Sequence, residues 1–202
     1  MTLVFATNNA HKLEEARAIL PNHRILSLAD VGCHAEIPET QPTLEGNSLQ
    51  KAQFVHDWLK HHENPLTKTV FGCFADDTGL EIDALGGAPG VYTARWCGDH
   101  CDPADNRKKA LAELQGQTNR TAQFRTVVTC IPTWMPIAVP KVYEGVVRGA
   151  IATEERGNGG FGYDPVFIPE GYDRTFAELP AEVKNTISHR ARALQKFALS
   201  LH

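Results

Sequence analysis

Hydrophobic residues along the chain switch between a run, a helical rhythm and a strand rhythm. The short apolar run Leu3 to Ala6 reads as a buried strand. After the polar turn Thr7, Asn8, Asn9, the apolar positions Leu13, Ala16 and Leu20 recur at helical spacing. Strand, turn and helix in that order open an α/β fold. A second helix is predicted from Leu49, Ala52, Val55 and Leu59. A third is predicted from Asp102 as cap, Pro103 in the first helical position, and Ala104, Leu111 and Leu114 as its apolar stripe. Strand-like stretches run from Val70 to Ala75, Thr121 to Ile131 and Lys141 to Val147; in the second, Ala122, Phe124, Thr126, Val128 and Cys130 share a face. The two long stretches could pair antiparallel. Asp164 to Ile168 reads as a short strand, and Ala191, Leu194, Ala198 and Leu201 mark a closing helix. This alternation lacks the regular spacing of a doubly wound parallel fold, so a mixed sheet with helices around it is expected.

Composition narrows the class. The 202 residues can bury one sizeable core, and no Ser-, Gly- or Pro-rich linker divides them, so one domain over residues 1–202 is expected. Hydrophobic content of 42% and charged content of 22% are those of an ordinary globular protein, which argues against disorder. A net charge of −4 argues against a protein whose main task is gripping nucleic acid, since that affinity comes from many Lys and Arg on phosphates. No apolar run is long enough to span a membrane, and MTLVFATNN lacks a signal-peptide pattern, so a cytoplasmic location is expected. Five cysteines, Cys33, Cys73, Cys97, Cys101 and Cys130, are an odd number, and reduced thiols are expected. Cys97 and Cys101, with His100 between them, would be half of a zinc site, but no second ligand pair completes it.

Charge placement then points to chemistry. If Asn9 caps the first helix, His11 and Lys12 sit in its opening turn, where the helix dipole disfavours cations unless an anion is near. Backbone amides at a helix start plus a lysine make an anion site, for which phosphate is the usual occupant; a lysine pointing into water satisfies the same pattern. The anomaly recurs near the carboxyl end, where Ser188 is a natural cap followed by His189, Arg190 and Arg192, with Lys184 just upstream. These side chains could hold phosphate oxygens, donate to a carbonyl on a base, or be solvated surface charge. Asp76 and Asp77 end an apolar run just before a turn signalled by Thr78 and Gly79. Carboxylates at a strand end suit magnesium, and an acidic turn with no ligand is the alternative. Glu45, immediately before the second helix, would add a carboxylate if the fold brings it to Asp77; otherwise it is an exposed acid favoured by the dipole.

GNGGFGYDPVF is the most unusual segment. Gly157, Gly159, Gly160 and Gly162 crowd around Phe161 and Tyr163, which is costly in entropy unless the backbone needs special angles or close approach. An aromatic ring on such a loop suits stacking on a planar base, worth ~1–3 kcal/mol; the rings could equally pack into the core. Neither a Walker-type lysine motif nor a dinucleotide fingerprint is present.

Taken together, TNNAHK at residues 7–12, ADDTGLEIDALGGAPGVYTAR at 75–95, GGFGYDPVF at 159–167 and KNTISHRARAL at 184–194 resemble, in order and spacing, the inosine triphosphate pyrophosphatase family. Its members are also described as non-canonical purine nucleoside triphosphate pyrophosphatases. The resemblance implies an elongated, two-lobed α/β fold around a long mixed β-sheet with flanking helices, the active site in the cleft between lobes, and usually a homodimer. It implies hydrolysis of inosine, deoxyinosine and xanthosine triphosphates to monophosphate and pyrophosphate, which cleanses the nucleotide pool, with Mg2+ as cofactor. Carried over by position, Thr7, Asn8, Asn9, Ala10, His11 and Lys12 would bind phosphates and Thr78 would touch substrate. Asp77 would be the catalytic acid beside the metal and the attacking water, with Glu45 and Asp76 as further metal carboxylates. Phe161, Gly162, Tyr163, Asp164, Lys184, His189 and Arg190 would complete the nucleotide site. The chain departs from the family in Thr78 and Thr93, where Ser is common, and in Arg148, where an acid is frequent.

Overall fold

The computed structural model describes residues 1–98, 102–135 and 138–201. Its strands are β1 (Thr2–Phe5), β2 (Arg24–Leu26), β3 (Gly72–Ile82), β4 (Pro89–Gly90), β5 (Thr121–Pro132), β6 (Lys141–Ile151) and β7 (Phe167–Pro169). The helices longer than one turn are α1 (Ala10–Ile19), α2 (Leu44–His61), α3 (Pro103–Glu113), α4 (Ala181–Ile187) and α5 (His189–Leu199). The strands form one mixed sheet in the order β2-β1-β3-β5-β6-β7, with β4 on β3. The pairs β1/β2 and β1/β3 are parallel, and β3/β4 and β6/β7 antiparallel. Ile151 N donates to Arg120 O at 2.9 Å, so the end of β6 meets the start of β5, the antiparallel arrangement expected of these two long strands.

The residues group into two compact units: Met1–Asp77 with Thr126–Glu144 and Ala191–His202, and Thr78–Arg125 with Gly145–Arg190. In the first unit the pleat of β1 and β3 sorts side chains between two cores. Leu3, Phe5 and Phe74 pack with Ala16 and Leu20 of the α1 region and with Ala193, Leu194 and Phe197 of α5. Val4, Ala6, Cys73 and Ala75 pack with Ala52, Val55 and Leu59 of α2. Helices therefore cover both faces of this part of the sheet. In the second unit Leu80 and Ile82 of β3, Ala122 and Phe124 of β5, and Val147 and Ile151 of β6 bury one sheet face. Their partners are Ala110 and Leu114 from the α3 region, and Tyr163, Val166 and Phe167.

Several elements differ from expectation. β3 does not end at a turn after Asp77 but runs on through Thr78 and Gly79 to Ile82, because each Asp finds a lysine from another element. Of the expected stripe of α2, Ala52, Val55 and Leu59 are buried but Leu49 is not, and the buried face extends instead to polar residues. Leu49 is 41% exposed, while Asn47, Ser48 and Lys51 are buried, satisfied by sheet groups and, for Asn47 and Lys51, also by the segment before α2. Ser48 Oγ, for example, reaches Ala75 O at 3.1 Å and Thr129 Oγ1 at 2.9 Å. Asp164 to Val166 form a 3-10 turn rather than strand, since the Asp164 side chain is drawn into a turn of its own, and β7 starts at Phe167. Cys33, Cys73, Cys97 and Cys130 are free thiols, whereas His100 and Cys101 of the considered zinc half-site lie outside the described residues. Among the described residues, no helix is long and apolar enough to cross a membrane.

Candidate active site

Asn9 caps α1 as expected, its Oδ1 accepting from Lys12 N at 3.2 Å, and Thr7 Oγ1 accepts from Asn9 N at 3.1 Å. Asn8, Ala10 and His11 are exposed beside them. Lys12 does not point into water: its Nζ lies 2.9 Å from Asp76 Oδ1, whose side chain is 1% exposed. The anion that the misplaced cation demanded is thus supplied, at least in part, by β3.

Asp77 follows Asp76 directly, and adjacent strand residues face opposite ways. Asp76 shares the face of Phe74, against α1, and Asp77 shares the face of Ala75, against α2. From α2, Lys51 Nζ lies 3.4 Å from Asp77 Oδ1 and 2.5 Å from Glu39 Oε1, while Asn47 Nδ2 donates to Asp77 Oδ2 at 3.1 Å. Asn47 and Lys51, one helical turn apart, therefore grip one carboxylate from one face of α2.

The cluster shifts its own proton affinities. Burial pushes the Asp77 carboxyl above its usual range, and Lys51 and Lys12 pull it back only partly. Burial also pushes Glu39 up, but Lys51 outweighs it and holds Glu39 low. Lys51 is raised, since Asp77, Glu39 and Asp76 together overcome its burial. In both ion pairs Lys51 keeps its proton.

Glu39 and Lys51 were not anticipated. The signal for Lys51 was a lysine one position from Ala52 on the apolar stripe of a helix; Glu39 lies in a polar segment that carries no periodic signal. Glu45 is exposed in the first turn of α2. Among the described residues, no group of three or more His, Cys, Asp and Glu side chains is placed to hold a metal ion. Two carboxylates, Asp77 and Glu39, already share one cation, the Lys51 ammonium. Such an all-oxygen pair fits a hard divalent ion completed by phosphates and water rather than a full protein cage.

The second unit gathers the carboxyl-terminal motifs. The turn from Phe161 to Asp164 is closed by Asp164 N donating to Phe161 O at 3.1 Å, and Asp164 Oδ2 accepts from Phe161 N at 2.7 Å. The same oxygen takes Lys184 Nζ at 2.5 Å, an ion pair with both side chains buried. A Cβ on Gly160 would stand 2.0 Å from this oxygen, so no larger residue fits there. The half-buried Phe161 ring has Lys184 Nζ 4.8 Å and Arg190 Cζ 5.7 Å from its centre. Arg190 is 2% exposed and reaches Thr78 Oγ1 at 3.4 Å, and the buried His189 ring lies 4.6 Å from that of Phe124.

Of the two rings considered for stacking, Tyr163 belongs to the core. It is buried, its hydroxyl bonds Thr93 O at 3.0 Å, and burial pushes its pKa up. Arg192 is exposed and does not share the burial of His189 and Arg190. Ser188 stands with extended backbone between α4 and α5, as a cap would. Lys184 lies on α4, a short helix that periodicity did not reveal.

The Ham1 family model matches residues 3–199. The chain belongs to the Ham1 family. The dITP/XTP pyrophosphatase of Porphyromonas gingivalis is 49% identical over 194 residues, 95% of this chain and 93% of that protein. The enzyme of the same name from Flavobacterium johnsoniae is 46% identical over 197 residues, 97% and 95% of the two chains. In three dimensions, the Staphylococcus aureus Ham1 protein superposes with a TM-score of 0.83 at 33% identity, covering 100% of this chain and 98% of the other. This Ham1-family chain thus shares its mixed-sheet α/β fold with a solved member, and its motif residues lie on that fold as two charged clusters, one in each unit.

Proposed function

We propose that the chain hydrolyses non-canonical purine nucleoside triphosphates, among them dITP, ITP and XTP, to nucleoside monophosphate and pyrophosphate. The observation that carries this reading is nearly full-length identity of 46–49% to proteins named dITP/XTP pyrophosphatase, on a chain whose β3 carboxylates are gripped by lysines of α1 and α2. A lysine beside a carboxylate suits a polyphosphate substrate, since the ammonium can meet phosphate oxygens while the carboxylate handles a proton.

Asp77, raised by burial, takes a proton from the water that attacks the α-phosphorus. The new bond joins that water oxygen to phosphorus, and the bond to the bridging oxygen breaks with its electron pair going to pyrophosphate. Asn47 fixes one Asp77 oxygen and so aims the other. Lys12 and Lys51 offset charge gathering on the leaving group. Asp77 and Glu39 would hold a divalent cation, magnesium by their hard oxygen donors, which when bound screens phosphate charge and makes water more acidic. Of the other two carboxylates expected at the metal, Asp76 serves Lys12 and Glu45 the start of α2.

In the second unit, Phe161 offers its ring to the base, while Lys184 neutralises Asp164 and so keeps the turn closed. His189 and Arg190 donate to the carbonyl at purine position six. Adenine presents an amino donor there, and a donor facing a buried donor leaves both unpaired. The full chain is read as one functional domain, acting as a homodimer in the cytoplasm; the family resemblance and the absence of a membrane-spanning helix among the described residues support this.

The test is a nucleotide panel with magnesium, assayed for pyrophosphate. Inosine triphosphate should yield monophosphate and pyrophosphate in equal amounts, adenosine triphosphate should turn over at least ~10²-fold more slowly, and EDTA should stop the reaction. Diphosphate and orthophosphate as products would overturn the reading.

A further inference from the structure

Phe161 stands between two glycines with left-handed backbone, Gly160 at φ +68° and Gly162 at φ +60°. Nothing lies within 4 Å of a Cβ built on Gly162, so sterics do not hold the ring on that side. Before Phe161, the Asp164 carboxylate holds the Phe161 N–H. After it, the hold comes from α3, outside every motif read above: Arg107 Nη1 donates to Gly162 O at 2.9 Å. With φ +60° at Gly162 and −94° at Tyr163, the turn has the signs of type II′, whose central carbonyl is the one that Arg107 takes.

Arg107 is itself braced. Its Nε lies 3.0 Å from Glu155 Oε2, an ion pair without hydrogen-bond geometry, so charge attraction from residue 155 holds the guanidinium whose Nη1 serves residue 162. Its neighbour Asn106, buried, accepts from Cys97 N at 2.8 Å and donates to Ala94 O at 2.9 Å, fixing α3 to the chain before it. Tyr163, next to Gly162, bonds Thr93 O, so the turn is tied at two points to one anchored region.

We propose that Arg107 is a positioning residue for base binding: by holding the Gly162 carbonyl it keeps the Phe161 ring in the orientation that receives the purine. This role rests on the reading of the chain as a purine nucleoside triphosphate pyrophosphatase. It predicts damage to the base end of the substrate and none to the phosphate end.

In Arg107→Ala, KM for inosine triphosphate should rise about tenfold, the loss of one charge-assisted hydrogen bond, with kcat within about twofold. Inorganic tripolyphosphate, which has phosphates and no base, should inhibit the variant and the wild type equally. Arg107→Lys should recover part of the loss, and Glu155→Gln should show a smaller rise in KM. An unchanged KM, or a KM and a tripolyphosphate inhibition constant that rise together, overturns the role; if Arg107→Ala does not fold, the other two variants carry the comparison. A wild type that releases no pyrophosphate defeats the activity reading instead. The latch is then judged by hydrogen exchange at the Phe161 and Asp164 amides, which must quicken in Arg107→Lys for it to stand.

Discussion

At Asp77 two influences oppose each other, and their balance decides what the residue can do. Burial raises the carboxyl's proton affinity; Lys51 and Lys12 lower it. Asp77 and Glu39 share Lys51, which keeps its proton, and burial leaves Asp77 with a raised proton affinity. A carboxylate in that state is better suited to accept a proton from water than an exposed one. Asp77→Asn keeps the shape and a possible bond to Asn47 while removing the proton acceptor. Turnover of inosine triphosphate should fall by about 10²–10⁴, with the dissociation constant for substrate changed only a few-fold by calorimetric titration. Turnover within tenfold of the wild type would mean that another group is the base.

The turn carrying Phe161 shows how an element is built around one oxygen. Asp164 Oδ2 holds both Phe161 N and Lys184 Nζ, and a methyl on Gly160 would occupy its place. Gly160→Ala should therefore cost about 3 kcal/mol or more, in the range of a broken buried pair, whereas Gly162→Ala meets open space and should cost about 1 kcal/mol of backbone strain. Denaturant midpoints measure both, and equal losses would show that the Gly160 clash is relieved by movement. Elements whose signals are local were legible in the sequence: Asn9 and Asp102 cap the helices expected of them, β5 lies where alternation put it, and β6 starts at Lys141 as expected, though it runs past Val147 to Ile151. Elements decided by distant partners were not. A turn was expected at Thr78 and Gly79, just after Asp76 and Asp77, yet the strand continues with those two aspartates paired to Lys12 and Lys51 from 64 and 26 residues away. For the same reason the burial of Lys51 was not legible; of the expected α2 stripe, Ala52, Val55 and Leu59 are buried and Leu49 is not. The motifs located Lys12, Asp77, Phe161, Lys184 and Arg190; they did not reveal that Tyr163 belongs to the core or that Arg107 braces the turn.

For the molecule as a whole, the path of the chain matters more than any one contact. The chain crosses between the two units after Asp77, Arg125, Glu144 and Arg190, and each of β3, β5 and β6 has residues in both. A unit that is a domain by itself would keep its strands to itself and be joined by an exposed linker. Here unfolding one unit must release strands whose remaining length belongs to the other, so local unfolding would expose unpaired backbone in the middle of a ladder. The expected outcome is a single cooperative transition, with calorimetric and van't Hoff enthalpies in a ratio near one and coincident melting by far-UV and aromatic signals. Two resolved transitions would show that the units fold independently. Under a single transition, a substitution in one unit should move the melting of the entire chain: Gly160→Ala, in the second unit, should lower the temperature at which the first unit, which contains α1, α2 and α5 from Ala191 on, loses its helical signal, and by the same amount as the rest.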